Sequence, residues 1–169
     1  MPKIDQINNK KDLAFLLFHY ADEVEGKTEL QKLIFLLQEE TEFKERYPDL
    51  EFEFTAYKYG PFSERVFDEL EFLLSIGAIE AIDPEEEVDF IRDETDPSDP
   101  YAGKRFVVTE KGEKIMNGVN AALDDDLQVE FEEVIDQYTD LSLQELLEYV
   151  YKQYPEYTTE SEIKEKILG

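Results

Sequence analysis

The segment Tyr57-Lys-Tyr-Gly-Pro-Phe-Ser63, the amphipathic run that follows it to Ser75-Ile-Gly77, and the later Phe106-Val-Val-Thr-Glu-Lys-Gly112 constrain the fold more than any other feature of the chain. In the run after Ser63, residues Val66, Phe67, Leu70, Leu73 and Leu74 recur at a helical period, and Gly77 stands just past the end, where a helix stops. Ala78-Ile-Glu-Ala-Ile82 and Lys104-Arg-Phe-Val-Val108 read as short strands, and Thr109 is placed to cap the helix that comes after them. Helix, strand, long connection, return strand: this order predicts a winged helix, with the acid- and proline-rich stretch between Asp83 and Gly103 as a long, mobile wing.

The remaining elements follow from periodicity. Leu13, Leu16, Leu17 and Tyr20 mark a first helix that stops near Gly26. Thr28 is expected to cap a second helix, with Leu30, Leu33, Ile34 and Leu37 on one face and Phe35 and Leu36 off it, so that it is buried on more than one side. Glu51 to Tyr59 alternates through Phe52, Phe54 and Ala56, which predicts a half-exposed strand ended by Gly60-Pro61. After Thr109 comes a helix with Ile115, Met116 and Val119. The acid-rich stretch from Asp124 is a break or an exposed helix, with Val129, Phe131, Val134, Ile135 and Tyr138 offering apolar contacts. Ser142 with Glu145 forms a capping box, with a staple between Leu141 and Leu146, ahead of a stripe of Leu143, Leu146, Leu147, Val150 and Tyr154. Pro155 ends that helix, and Thr159 with Glu162 can cap a short final one. The expected class is mainly α (α+β), with a winged-helix core and short antiparallel sheet over residues 1–118. Residues 119–169 form a C-terminal helical extension packed on that core.

Charge narrows the function. The 169 residues carry 43 acids against 17 Lys and Arg, a formal charge of −26. Each phosphate contact needs a cation to displace counterions, so nucleic acid and anionic membrane are disfavoured partners. A basic protein partner, a salty cytosol or plain solubility accommodates the charge. With no cysteine, a thiol nucleophile, a disulfide and a cysteine-ligated zinc are all excluded, and an intracellular, cytoplasmic setting is the simpler reading. The single histidine, His19, lies among Phe18 and Tyr20 and reads as structural. Asp93, Asp96 and Asp99 lack the spacing of a calcium loop, no glycine loop cradles phosphate, and no catalytic residue, metal or cofactor is expected. Tyr57, Tyr59 and Phe62 read as core or turn packing. The tyrosines from Tyr149 to Tyr157 read as intramolecular docking of the extension.

At ~100° per residue, Glu64, Asp68 and Glu71 form a column on the outer face of the third helix, with Arg65 and Phe72 beside it. These five residues are the expected partner-binding site of a non-enzymatic, winged-helix protein-interaction module, in whose sharpest form the carboxylates stand where phosphates stand on a duplex. The alternative is a DNA-binding transcriptional regulator, which would place the same helix in the major groove and Lys104 and Arg105 on the wing.

Several pieces, in order, resemble a known family. Gly26-Lys-Thr-Glu-Leu-Gln-Lys-Leu-Ile-Phe-Leu-Leu37, Tyr57 to Ser63, Tyr149-Val-Tyr, Tyr154-Pro-Glu and Ser161-Glu-Ile163 are similar to the YwgA-like small proteins and, through them, to the Panacea antitoxin-type domain. The motif positions are Gln31, Lys32, Tyr57, Tyr59, Gly60, Pro61, Ser63, Gly112, Tyr154 and Pro155, all expected to serve structure. The resemblance implies a winged-helix-like, non-enzymatic module that binds a partner protein as an antitoxin or adaptor. The acidic wing and acidic third helix depart from what a DNA-binding relative needs.

Overall fold

Asn9 starts the first helix by accepting the Lys11 backbone N–H at 3.1 Å while its own N–H donates to Asp12 Oδ2 at 3.0 Å. In the computed structural model, which describes residues 7, 9–57, 60–83, 101 and 103–159, this helix is α1, Lys10–Ala21. The order then runs β1 Glu23–Val24, α2 Lys27–Glu39, α3 Phe43–Arg46, β2 Thr55–Tyr57, β3 Gly60–Phe62 and α4 Glu64–Ser75. It continues with β4 Ile79–Ile82, β5 Arg105–Val108, α5 Glu110–Ala121, α6 Asp125–Thr139 and α7 Leu143–Gln153, with 3-10 turns at Pro48–Leu50 and Pro155–Tyr157.

The protein is mainly helical, and its antiparallel strands form two small sheets. One has the order β1-β5-β4, with Val24 opposite Phe106 and Ile79 opposite Val108. The other is the β2–β3 hairpin, pairing Tyr57 with Gly60 and Thr55 with Phe62. The core forms around α2, in which every residue from Leu30 to Gln38 is buried. Leu13 to Phe18 of α1, Phe131, Ile135 and Tyr138 of α6, and Leu146, Leu147 and Val150 of α7 join it. Each such side chain contributes about 1.5–3 kcal/mol by leaving water, which compensates for α1 and α2 carrying little periodic contrast of their own.

Several expectations stand. Thr109 caps α5 by accepting the Gly112 N–H at 3.0 Å. Ser142 and Glu145 form the reciprocal box at the start of α7, with bonds of 3.0 and 3.1 Å. Others need correction. Gly26, not Thr28, is the N-cap of α2. The two-residue strand β1 gives no alternation to read, and Gly60-Pro61 does not end a strand but begins β3. The alternation from Glu51 survives as burial, with Phe52 buried and Glu53 exposed, yet only Thr55–Tyr57 pairs as strand. Val129 is 56% exposed rather than packed. The wing from Pro84 to Pro100 and the final helix after Thr159 lie outside the described residues.

Candidate functional site

Two glutamines of α2, one on either side of its aromatic middle, do the work of a missing strand. Gln31 Nε2 donates to the Ser63 carbonyl at 2.8 Å and its Oε1 accepts the Ser63 N–H at 3.0 Å. Gln38 repeats the arrangement on Phe52, with bonds of 2.9 and 2.6 Å. A primary amide presents the same donor and acceptor pair as a peptide group, so each glutamine satisfies the backbone of a residue that lies outside both sheets. Between these bridges Lys32 Nζ donates to the Pro61 carbonyl at 3.0 Å. The hairpin is closed from the other side by Tyr151 of α7: a Cβ on Gly60, whose φ is +92°, would lie 2.8 Å from the Tyr151 ring.

Lys32 is fully buried, and burial pushes its pKa down to about 7. The unfolded chain holds the same proton up to an ordinary lysine value of ~10.4. Between these values the unfolded state binds more protons than the folded one, so stability rises with pH through this window; below it the cost of the buried ammonium is constant and complete. Lys32→Met removes that dependence while leaving the Pro61 carbonyl unbonded. Relative to the unaltered chain, the variant is expected to gain about 2–3 kcal/mol on going from about pH 9 to about pH 6. Urea melts at both pH values check this; an equal difference at both would show that Lys32 keeps its proton throughout.

The C-terminal tyrosines converge on one carboxylate at the end of α2. Glu40 accepts the hydroxyls of Tyr149 at 2.6 Å, Tyr154 at 2.8 Å and also Tyr138. Burial and the Glu40 charge raise the pKa of all three phenols, so they stay protonated donors. Phe35 packs edge-on against Tyr154 and Tyr157 at 4.9 and 5.0 Å. The tyrosine-rich stretch thus packs within the chain, and Pro155 begins the turn that follows.

The α4 residues face outward. Glu64, Asp68 and Glu71 are exposed, and among the described residues none of the three has a hydrogen-bond or ion-pair partner. Arg65 does not stand free: its Nε binds buried Glu69 at 2.8 Å. Phe72 is 38% exposed, with Lys11 Nζ 5.2 Å from its ring centre. Along the other flank run Tyr57, 44% exposed, Phe62 and Phe67, with Lys27 Nζ 4.6 Å from the Phe67 ring. Tyr59 lies outside the described residues. Lys104 pairs with Asp83, and Arg105 binds Glu23 at 2.9 Å, so both cations of the return strand already meet carboxylates.

Acid elsewhere is partly structural. Glu42, Asp126 and Glu130 bring carboxylates together, but Arg46 binds Glu42 at 2.7 Å, Asp124 at 3.0 Å and both oxygens of Asp126. That guanidinium lowers the Asp126 pKa to about 2. His19 stacks edge-on to Tyr20 at 4.9 Å, and burial lowers its pKa. No helix among the described residues is long and apolar enough to cross a membrane.

Sequence reasoning singled out Gln31 and Lys32 and placed the α4 column on an exposed face, as it is, but missed Gln38 and Glu40. A glutamine repeating at a seven-residue spacing inside an apolar helix was the signal for Gln38; Glu40 had none among so many acids. These features define a small helical module whose buried polar residues hold one hairpin and one helix in place beneath an acidic outer face. The chain belongs to the SocA-like antitoxin family: the model described as the antitoxin SocA-like, Panacea domain matches residues 30–156, a span that includes α2 from Leu30, the hairpin, α4 and the tyrosine clamp. No curated protein matches the chain significantly.

Proposed function

We propose that this chain is an antitoxin-like regulatory module that binds a protein partner and catalyses no reaction. Membership of the antitoxin-like family over residues 30–156 carries this reading. The partner is a basic protein, drawn by the charge of −26, and its contact surface is the α4 face of Glu64, Arg65, Asp68, Glu71 and Phe72. The order α1, β1, α2, α4, β4, β5 with sheet order β1-β5-β4 supports a winged-helix scaffold within residues 1–118; residues 119–169 are its helical extension, joined to it through α5, which runs across that boundary. On that scaffold α4 occupies the place of a recognition helix, and its carboxylates stand in for phosphates.

The tagged chain and a Glu64→Gln, Asp68→Asn, Glu71→Gln variant are to be incubated with native cytosol, with and without nuclease. A basic protein retained after nuclease and lost with the variant is the expected result. Retention by the variant would remove α4 as the contact. DNA that disappears on nuclease treatment, leaving no protein behind, would favour the DNA-binding regulator instead.

A further inference from the structure

The surface beside the α4 carboxylates is aromatic, and its rings are arranged as a ladder. Tyr57 packs on Phe62 with centroids 4.6 Å apart, and Phe62 meets Phe67 edge-on at 5.4 Å. Tyr57 is the outer rung, 44% exposed, while Phe62 and Phe67 are half-buried. On α4, Phe67 is three residues from Glu64 and four from Glu71, the spacings at which helical side chains are neighbours. The ladder is therefore edged by carboxylates on its own helix. The molecule also shows what these rings accept, since Lys27 and Lys11 place ammonium groups 4.6 and 5.2 Å from Phe67 and Phe72.

We propose that the Tyr57–Phe62–Phe67 ladder, together with Glu64 and Glu71, is the contact point for an arginine-bearing segment of the protein partner. The proposal rests on the reading of the α4 face as the partner surface and specifies its chemistry. A guanidinium is planar and weakly hydrated, so one arginine of the segment can lie flat on the Tyr57 ring while another directs its N–H groups at Glu64 or Glu71; a lysine ammonium stacks and pairs less well. The ladder is held ready. Its β3 rung follows Pro61, fixed by Lys32, and α4 starts at Ser63, fixed by Gln31, so little order has to be gained on binding.

The test uses the full chain and two blocked peptides, one with five arginines alternating with alanines and one with five lysines in their place, measured by fluorescence anisotropy at physiological salt. The arginine peptide is expected to bind about twofold tighter, a part of the two- to fivefold that a whole exposed ring–cation contact supplies to either cation. Tyr57→Ala, on an exposed side chain, should bring the ratio to about one by weakening the arginine peptide more than the lysine peptide. Glu64→Gln with Glu71→Gln should weaken both peptides. The same charge removal on α6, Asp125→Asn with Glu132→Gln, should preserve the ratio. Equal affinities for the two peptides, or a ratio that survives Tyr57→Ala, would overturn the proposal. So would a single-stranded oligonucleotide whose binding Tyr57→Ala abolishes, since the rungs would then stack on bases. If the native partner is still captured by Tyr57→Ala but lost with the α4 carboxylate variant, the ladder proposal fails and the functional reading stands.

Discussion

Gly112→Ala is expected to be the most damaging glycine-to-alanine change among the described residues. On an open helix the same change would stabilise by about 0.5–1 kcal/mol, because glycine has more freedom to lose. Here the new Cβ would lie 1.9 Å from the Ala78 carbonyl oxygen and 2.7 Å from its carbon. Both neighbours are backbone, and neither is free to retreat. Ala78 O accepts the Thr109 N–H at 3.1 Å, and the Thr109 hydroxyl gives its one proton to Gly77 O at 2.6 Å with Ala78 O 3.1 Å away. Relieving the clash means moving the first turn of α5 about 1 Å from the end of α4, breaking the Thr109 cap and disturbing the β4–β5 pairing beside it. A loss of about 3 kcal/mol follows, with Tm lower by about 6–12 °C. Asn117→Ala, on the exposed side of α5, should stay within about 0.5 kcal/mol. Calorimetry on the two variants decides the matter: equal melting points would mean that α5 can slide over Ala78 at no cost.

Gly112 also marks how far a sequence can be read. The elements from Ser63 to Ile82 and from Arg105 to Gly112 were legible because each has a local cause: the α4 stripe, Gly77 after it, Thr109 before α5. Helix α2 was legible as a helix, but its role was not. Gln31, Lys32 and Gln38 look like ordinary polar interruptions of an apolar run, and only the path of the chain from Phe52 to Ser63 gives their polar atoms something to bind. The hairpin was misread for the same reason. Pro61 has no N–H to give, so it argues against a strand unless an edge position and a side-chain donor such as Lys32 are available. Glu40 was invisible because one acid among 43 carries no mark of the three hydroxyls that reach it. The outer face of α4 was legible in position from helical spacing alone. The aromatic rungs beside it were not, because Tyr57 and Phe62 meet only across a turn.

Gln31→Ala is expected to loosen both the hairpin and the start of α4 without touching any exposed residue. Ser63 is 4% exposed and Gln31 1%, so truncation leaves a buried N–H with no replacement for its bond of 3.0 Å and strips the buried carbonyl of its 2.8 Å bond, leaving it the Val66 N–H at 3.2 Å. At about 1–3 kcal/mol for the orphaned N–H and about 0.5–1.5 kcal/mol for the carbonyl's lost bond, the loss is about 1.5–4.5 kcal/mol. Gln31→Glu separates the two bonds. A carboxylate still accepts the Ser63 N–H but turns a lone pair toward the Ser63 carbonyl, whereas the protonated acid can donate to it as the amide does. Burial raises the folded-state pKa of such a group above its ordinary ~4.3. The folded chain then binds the extra proton, and stability is recovered as pH falls through that raised value. Hydrogen exchange at residues 60–66 should accelerate in Gln31→Ala and, near neutral pH, in Gln31→Glu, with the latter slowing again in acid. On the proposal that α4 is the partner surface, capture should weaken in step although Glu64, Asp68 and Glu71 are unchanged, because that helix would no longer be held at its first turn. Unaltered exchange at Ser63 in Gln31→Ala would mean that water enters and takes over both bonds, and that α4 is held by its apolar stripe alone.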